Sequence, residues 1–251
     1  MDEPRGNWRL FLGPAGLVIF IVAWEGISRY VVQSNFLPHP SRILAEAWRM
    51  SVSGMILPHL LSSMKNFLLG MIIALLIGLP MGLLMGWYRT LGDLCDLVIS
   101  AIYTTPLVAL TPTVILVFGI YDPSKVFMTF LAAVFPILIN TAHGVRTTDP
   151  KLIIMAKSLT VSDFKLFITV VLPSTIPYII SGFRLAVGRG LVFIVVVEML
   201  ASNKGLGFLA VSLGDQFDLA RMFVRVLIIS GLGILFVGMI KRVESRFEKW
   251  R

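Results

Sequence analysis

The 251-residue chain is 57% hydrophobic and only 14% charged, with a mean hydropathy of +0.87. A water-soluble domain is typically about a quarter charged, so a soluble globular protein is excluded. The net charge of +8 does not mark a nucleic-acid binder either, because the basic residues gather in short segments between apolar runs, as a membrane protein's positive-inside bias requires.

A bilayer's hydrocarbon core takes roughly 20 apolar residues per helix, which leaves room for about six crossings in one all-α transmembrane domain spanning 1–251. The first predicted span runs from about Leu10 to Ser28. Val22 and Trp24 make a poor cleavage site after it, so an uncleaved span is expected rather than a signal peptide. Residues 30–66 form an outside segment, where Ser41 can cap a short amphipathic helix through Ile43, Leu44 and Trp48. Phe67 to Gly86 carries no charge and forms the second span. Its Gly70, Gly78, Gly82 and Gly86 share one face at a spacing that lets two backbones approach closely. Either ordinary packing within the chain or a subunit contact would use such a face.

The third predicted span, Leu97 to Tyr121, holds Thr104-Thr105-Pro106 and Thr111-Pro112-Thr113. Each proline removes a donor and frees a carbonyl that lipid cannot satisfy. The threonine hydroxyls either satisfy those carbonyls inside a kinked, buried helix or line a wet pathway. The fourth span covers Val126 to about Val145, the fifth about Tyr178 to Ala201, and the sixth about Leu219 to Ile240. Ionisable groups within or near spans are functional candidates by default, and Arg189 and Glu198 stand out. Arg225 and Arg221 are expected to snorkel to the outer boundary. Cys95, the one thiol, excludes an intramolecular disulfide and a cysteine metal cluster.

With both termini in the cytoplasm, inner segments hold twelve Lys and Arg residues and outer segments six. The inner segment 146–173 is the most informative stretch. Asp149-Pro150 starts a helix whose Leu152, Met155, Ala156 and Leu159 recur at helical spacing. Ser162 caps a second helix with an apolar face of Phe164, Phe167, Ile168 and Val171, which Pro173 is placed to end. Such a helix pair can dock another protein or lie flat on lipid headgroups.

Here the chain resembles the permease subunits of binding-protein-dependent ABC transporters. Their signature, EAA-x3-G-x9-I-x-LP, is matched in spacing by Ile154-Met155-Ala156, Thr160, Val170 and Leu172-Pro173. Ile154 replaces the acidic residue and Thr160 the glycine, and a β-branched residue argues against a left-handed turn there. Phe36-Leu37-Pro38-His39-Pro40-Ser41, Ser181-Gly182-Phe183-Arg184-Leu185-Ala186, Glu198-Met199-Leu200, Gly205-Leu206-Gly207-Phe208 and the closing 243–251 are similar to the nitrate/sulfonate/taurine/bicarbonate branch.

The resemblance implies a type I importer permease with a coupling-helix pair, in a bacterial plasma (inner) membrane. Its implied partners are two ABC ATPase subunits, a second copy or paralogue of the permease, an extracytoplasmic solute-binding protein and membrane lipid. The implied ATPase-coupling residues are Met155, Ala156, Lys157, Ser158, Leu159, Thr160, Phe164, Leu172 and Pro173. The predicted pathway residues are Thr104, Thr105, Thr111, Thr113, Arg189 and Glu198. No Gly-Lys dipeptide occurs, so the chain lacks a phosphate-cradling loop, and ATP and Mg belong to the partner ATPase. The expectation is a non-catalytic subunit carrying a small polar anion. A transporter driven by a proton or sodium gradient is the rival, although only Glu198 offers it an intramembrane acid. A membrane enzyme is a third class, but His39, His59 and His143 lack metal-ligand spacing.

Overall fold

The computed structural model describes residues 9–32, 37–211 and 219–247. Arg5, Phe36, residues 212–218 of the predicted outer loop and residues 248–251 of the closing segment lie outside that description. The described elements are all helical. They are α1 (Arg9–Gly26) with a π-helical extension (Ile27–Val32), α2 (Pro40–Val52), α3 (Ile56–Trp87), α4 (Arg89–Thr104) and α5 (Leu107–Phe118). Then come α6 (Asp122–Arg146), α7 (Pro150–Ser158), α8 (Asp163–Leu166), a π-helical turn (Phe167–Val171), α9 (Leu172–Leu200), α10 (Leu206–Val211) and α11 (Leu219–Phe247).

Among the described residues four helices are long and apolar enough to cross a bilayer: α3, α6, the continuous stretch Asp163–Leu200, and α11. A fifth crossing counts if α4 and α5 are one span, and these two meet at 91°. The total is therefore four or five where about six is predicted. The predicted third span is not one straight helix, and α1, which occupies the predicted first span, stands outside the count.

The core is α6, enclosed between α3 and α9. Glycine allows the approach. A Cβ at Gly78 would lie 2.9 Å from the Val134 carbonyl oxygen, and one at Gly82 would lie 2.7 Å from that of Leu138. Gly182 does the same for α9, 2.8 Å from the Pro136 oxygen. The glycine face of α3 therefore serves packing within the chain, one of the two uses its spacing allows. Phe67, Met71, Ala74, Ala133, Ile137, Ala186 and Ile194 fill the layer between the three helices.

Two helix boundaries differ from the sequence expectation for local reasons. α2 is capped by His39, whose Nδ1 accepts from the Arg42 N–H, with Pro40 in the first turn. Ser41 instead donates its backbone N–H and its hydroxyl to the Glu25 carboxylate, tying α2 to α1. Pro173 does not end the helix that Ser162 caps. The wider π-helical turn just before it takes up the register change that a missing N–H imposes, so Asp163–Leu200 runs on as one element.

Candidate functional site

The elbow between α4 and α5 follows from Pro106. A residue before proline is pushed out of the helical region, and Thr105 is extended at φ −64°, ψ 132°. The hydroxyls of Thr104 and Thr105 donate to the last carbonyls of α4, at 2.9 Å to Ser100 and 2.8 Å to Ala101. Pro112, by contrast, sits inside α5 without breaking it.

The four threonines do not share a wall. Thr111 is buried and its hydroxyl has no hydrogen-bond partner among the described residues, while Thr104 and Thr113 are exposed. Thr105 faces an open groove of about 400 Å³ together with Tyr103, Pro106 and Val108, and the facing wall is Gly188, Arg189, Val192 and Phe193 of α9. The Arg189 guanidinium lies 4.3 Å from the Tyr103 ring centroid. A cation–π contact consumes no hydrogen-bond donor, so the guanidinium keeps all five N–H groups for a solute or water. Thr105 and Arg189 are thus brought together.

Glu198 is placed elsewhere, 0% exposed near the C-terminal end of α9. Its carboxylate accepts from the Ser63 hydroxyl at 2.7 and 2.8 Å and from the Gly207 N–H at 3.0 Å. Ser63 in turn accepts from the Leu206 N–H at 2.8 Å, and His59 Nδ1 accepts from the Gly205 N–H at 3.1 Å. Lys125, 1% exposed, donates to the Lys204 carbonyl at 3.3 Å, and Arg225 donates to that of Leu209. Side chains from α3, α6, α9 and α11 therefore hold the 204–209 backbone inside the bundle's end.

Arg225 is buried rather than snorkelling, because α10 folds over it and supplies an acceptor. Gly205, at φ 124°, lies so close to Glu198 that any side chain would occupy the carboxylate's place. Ser63, His59 and Lys125 are absent from the sequence-derived candidates. The signal for them was the Gly-x-Gly of 205–207, where backbone alone fits against a side chain.

At the opposite end α7 begins as the sequence indicates, with Asp149 accepting from the Lys151 N–H at 2.8 Å. Its end does not. Thr160 has φ 54°, the one non-glycine residue with positive φ among those described. Thr160 N–H bonds to Lys157 O at 3.0 Å and Val161 N–H to Ala156 O at 3.3 Å, the paired bonds of a Schellman motif. That motif normally places glycine where Thr160 stands. Ala156 is turned inward at 8% exposed, whereas Met155, Leu159 and Phe164 are exposed. Lys157 and Ser158 are exposed beside them, Leu172 is half-buried, and Pro173 is exposed in the first turn of α9. Trp87 and Phe167 pack edge to face at 5.1 Å and fix the segment to the end of α3.

The family described as "Binding-protein-dependent transport system inner membrane component" matches residues 74–249. SsuC of Escherichia coli K12, named as an aliphatic sulfonates transport permease protein, is 34% identical over 252 residues, covering 100% of this chain and 96% of SsuC. The formylaminopyrimidine transport permease ThiX of Halalkalibacterium halodurans is 31% identical, covering 93% of each chain. A crystal structure of an amino acid ABC transporter with histidines superposes with a TM-score of 0.61 at 18% identity, over 81% of this chain and 97% of that one.

Proposed function

Because this chain belongs to the binding-protein-dependent transport system inner membrane components, we propose that its elbow groove is the route by which a small sulfonate-like anion crosses. Membership makes it the non-catalytic, multi-pass inner-membrane permease of an ABC importer, a system that works with an ATPase and a solute-binding protein. A gradient-driven transporter is thereby set aside.

The observation that carries the reading is Arg189 in an open groove beside the Thr105 hydroxyl. A guanidinium recognises planar or tetrahedral oxyanions through paired N–H donors. The surrounding Val108, Val192 and Phe193 suit a short alkyl tail. SsuC, named for aliphatic sulfonates, supports this class of cargo at 34% identity. Two copies, or one copy and a paralogue, would enclose the path between them. The exposed Met155, Leu159 and Phe164 of each copy would dock on one of two ATPase subunits, on the cytoplasmic side to which the charge bias assigns both termini.

Uptake by whole cells carrying Arg189→Gln tests the cargo. Alkanesulfonate uptake should fall at least about tenfold, the loss of one charge-assisted hydrogen bond, while the ATPase still co-purifies. Full sulfonate uptake by this variant would refute the route. If the wild type instead carries formylaminopyrimidine and no sulfonate, the second reading, suggested by ThiX, replaces the first.

A further inference from the structure

α11 is the least enclosed of the crossings, with 17% of its apolar stretch buried against 61% for α6. It leans on α9 and meets α3 through the Phe67–Phe236 ring pair, centroids 5.6 Å apart. From that pair toward the end bearing Lys241, the three helices separate and leave a groove of about 630 Å³. Met71 and Leu75 of α3, Phe183 of α9 and Met239 of α11 line it, and it opens sideways past Leu68 and Met239, both well exposed. Arg242, at its end, is the one charged residue in the lining.

Protein interiors do not keep spaces of this size empty, and an apolar cavity gives water no polar partners. The volume lies in the range of ligand sites, about 300–1,000 Å³. An occupant that is apolar, elongated along the helices and anionic at the Arg242 end matches this lining. Phe236 to Arg242 spans about 9 Å of helix axis, and the arginine side chain reaches further. Together these approach the depth of one leaflet's hydrocarbon, about 15 Å. We propose that the groove between α3, α9 and α11 is a binding site for one acyl chain of an anionic phospholipid, its phosphate at Arg242 and its tail against Phe67 and Phe236. The lipid fills a gap the chain's own side chains leave and holds α11 to the core.

Native mass spectrometry of the assembled transporter, released from a mild detergent, tests this with phosphatidylglycerol and phosphatidylethanolamine as probes. The wild type should retain phospholipid on each permease chain, with phosphatidylglycerol in excess. Arg242→Gln should lower phosphatidylglycerol retention about fivefold, as expected for one interfacial cation, and lower that of phosphatidylethanolamine, whose ammonium offsets the same phosphate, by less. Met239→Trp should fill the groove and release both lipids, and Leu68→Trp, at the same mouth, provides a second filling variant should the first not assemble. Retention by the wild type no greater than by the filled variants would overturn the site, as would an unaltered lipid preference in Arg242→Gln. A disulfide between two copies carrying Met239→Cys would overturn it differently, by showing that a second chain covers the groove.

Discussion

Thr160 shows how far a turn can be set by its surroundings. A β-branched residue in the left-handed region costs about 1–2 kcal/mol, and its sequence neighbourhood gives no reason to accept that cost. The reason lies in the two bonds that close α7 and in Ala156 and Val161, which the motif brings together. Thr160→Gly should relieve about 1 kcal/mol of strain and raise the melting temperature of the purified subunit. A lower melting temperature would show that the threonine side chain itself holds the turn. Glu198 was legible as an unusual intramembrane acid, but its role was not. Its partners are Ser63, 135 positions away, and a backbone segment whose only mark in the sequence is a pair of glycines.

At the scale of elements, α3 and α6 were readable because a charge-free apolar run has little choice in a bilayer, and α9 because Arg184, Arg189 and Glu198 are too few to break its apolar run. The elbow was half readable. Pro106 marks a break, yet the 91° angle is set by where α5 lands, with Leu107 and Val114 packed beside Met128, Ala132 and Val197. No local pattern encodes those contacts. The helix pair α7–α8 was readable from its spacing, but the inward turn of Ala156, which packs where α7 closes, was not. Leu159, 71% exposed, and Phe164, 78% exposed, present the apolar surface. Phe164→Asp should therefore weaken co-purification of the ATPase and reduce uptake, leaving the melting temperature nearly unchanged, because the side chain has little packing to lose. A carboxylate there would be desolvated without a partner in the interface, at a cost of several kcal/mol. Undiminished ATPase recovery would show that the partner binds elsewhere.

For the molecule as a whole, the Glu198 cluster and the α7–α8 turn mark opposite ends of one bundle, so sidedness is a single question. In a Cys95→Ser background, a cysteine at Lys204 should react with an impermeant maleimide added to intact cells. One at Ser158 should react only after permeabilisation. The reverse pattern would turn the subunit over and remove the ATPase from the reach of Phe164.

The enclosure of α6 carries a consequence for how the protein is made. It is the least apolar of the four crossings and holds Lys125, Thr129 and Thr141 against its neighbours rather than against lipid. A ribosome delivers α3 first, then α6, and α9 only some 30 residues of synthesis later, at roughly 5–20 residues per second. For those seconds one flank of α6 has no protein to lean on, and Lys125 has Asp122 of its own helix, 3.5 Å away, but not yet the Lys204 carbonyl. Nascent α6 must either wait beside the insertion machinery or pair with α3 at once through the glycine face. A bulky residue at Gly82 would therefore act on the newborn chain before it could act on the finished one, and its first sign would be rapid degradation in the cell.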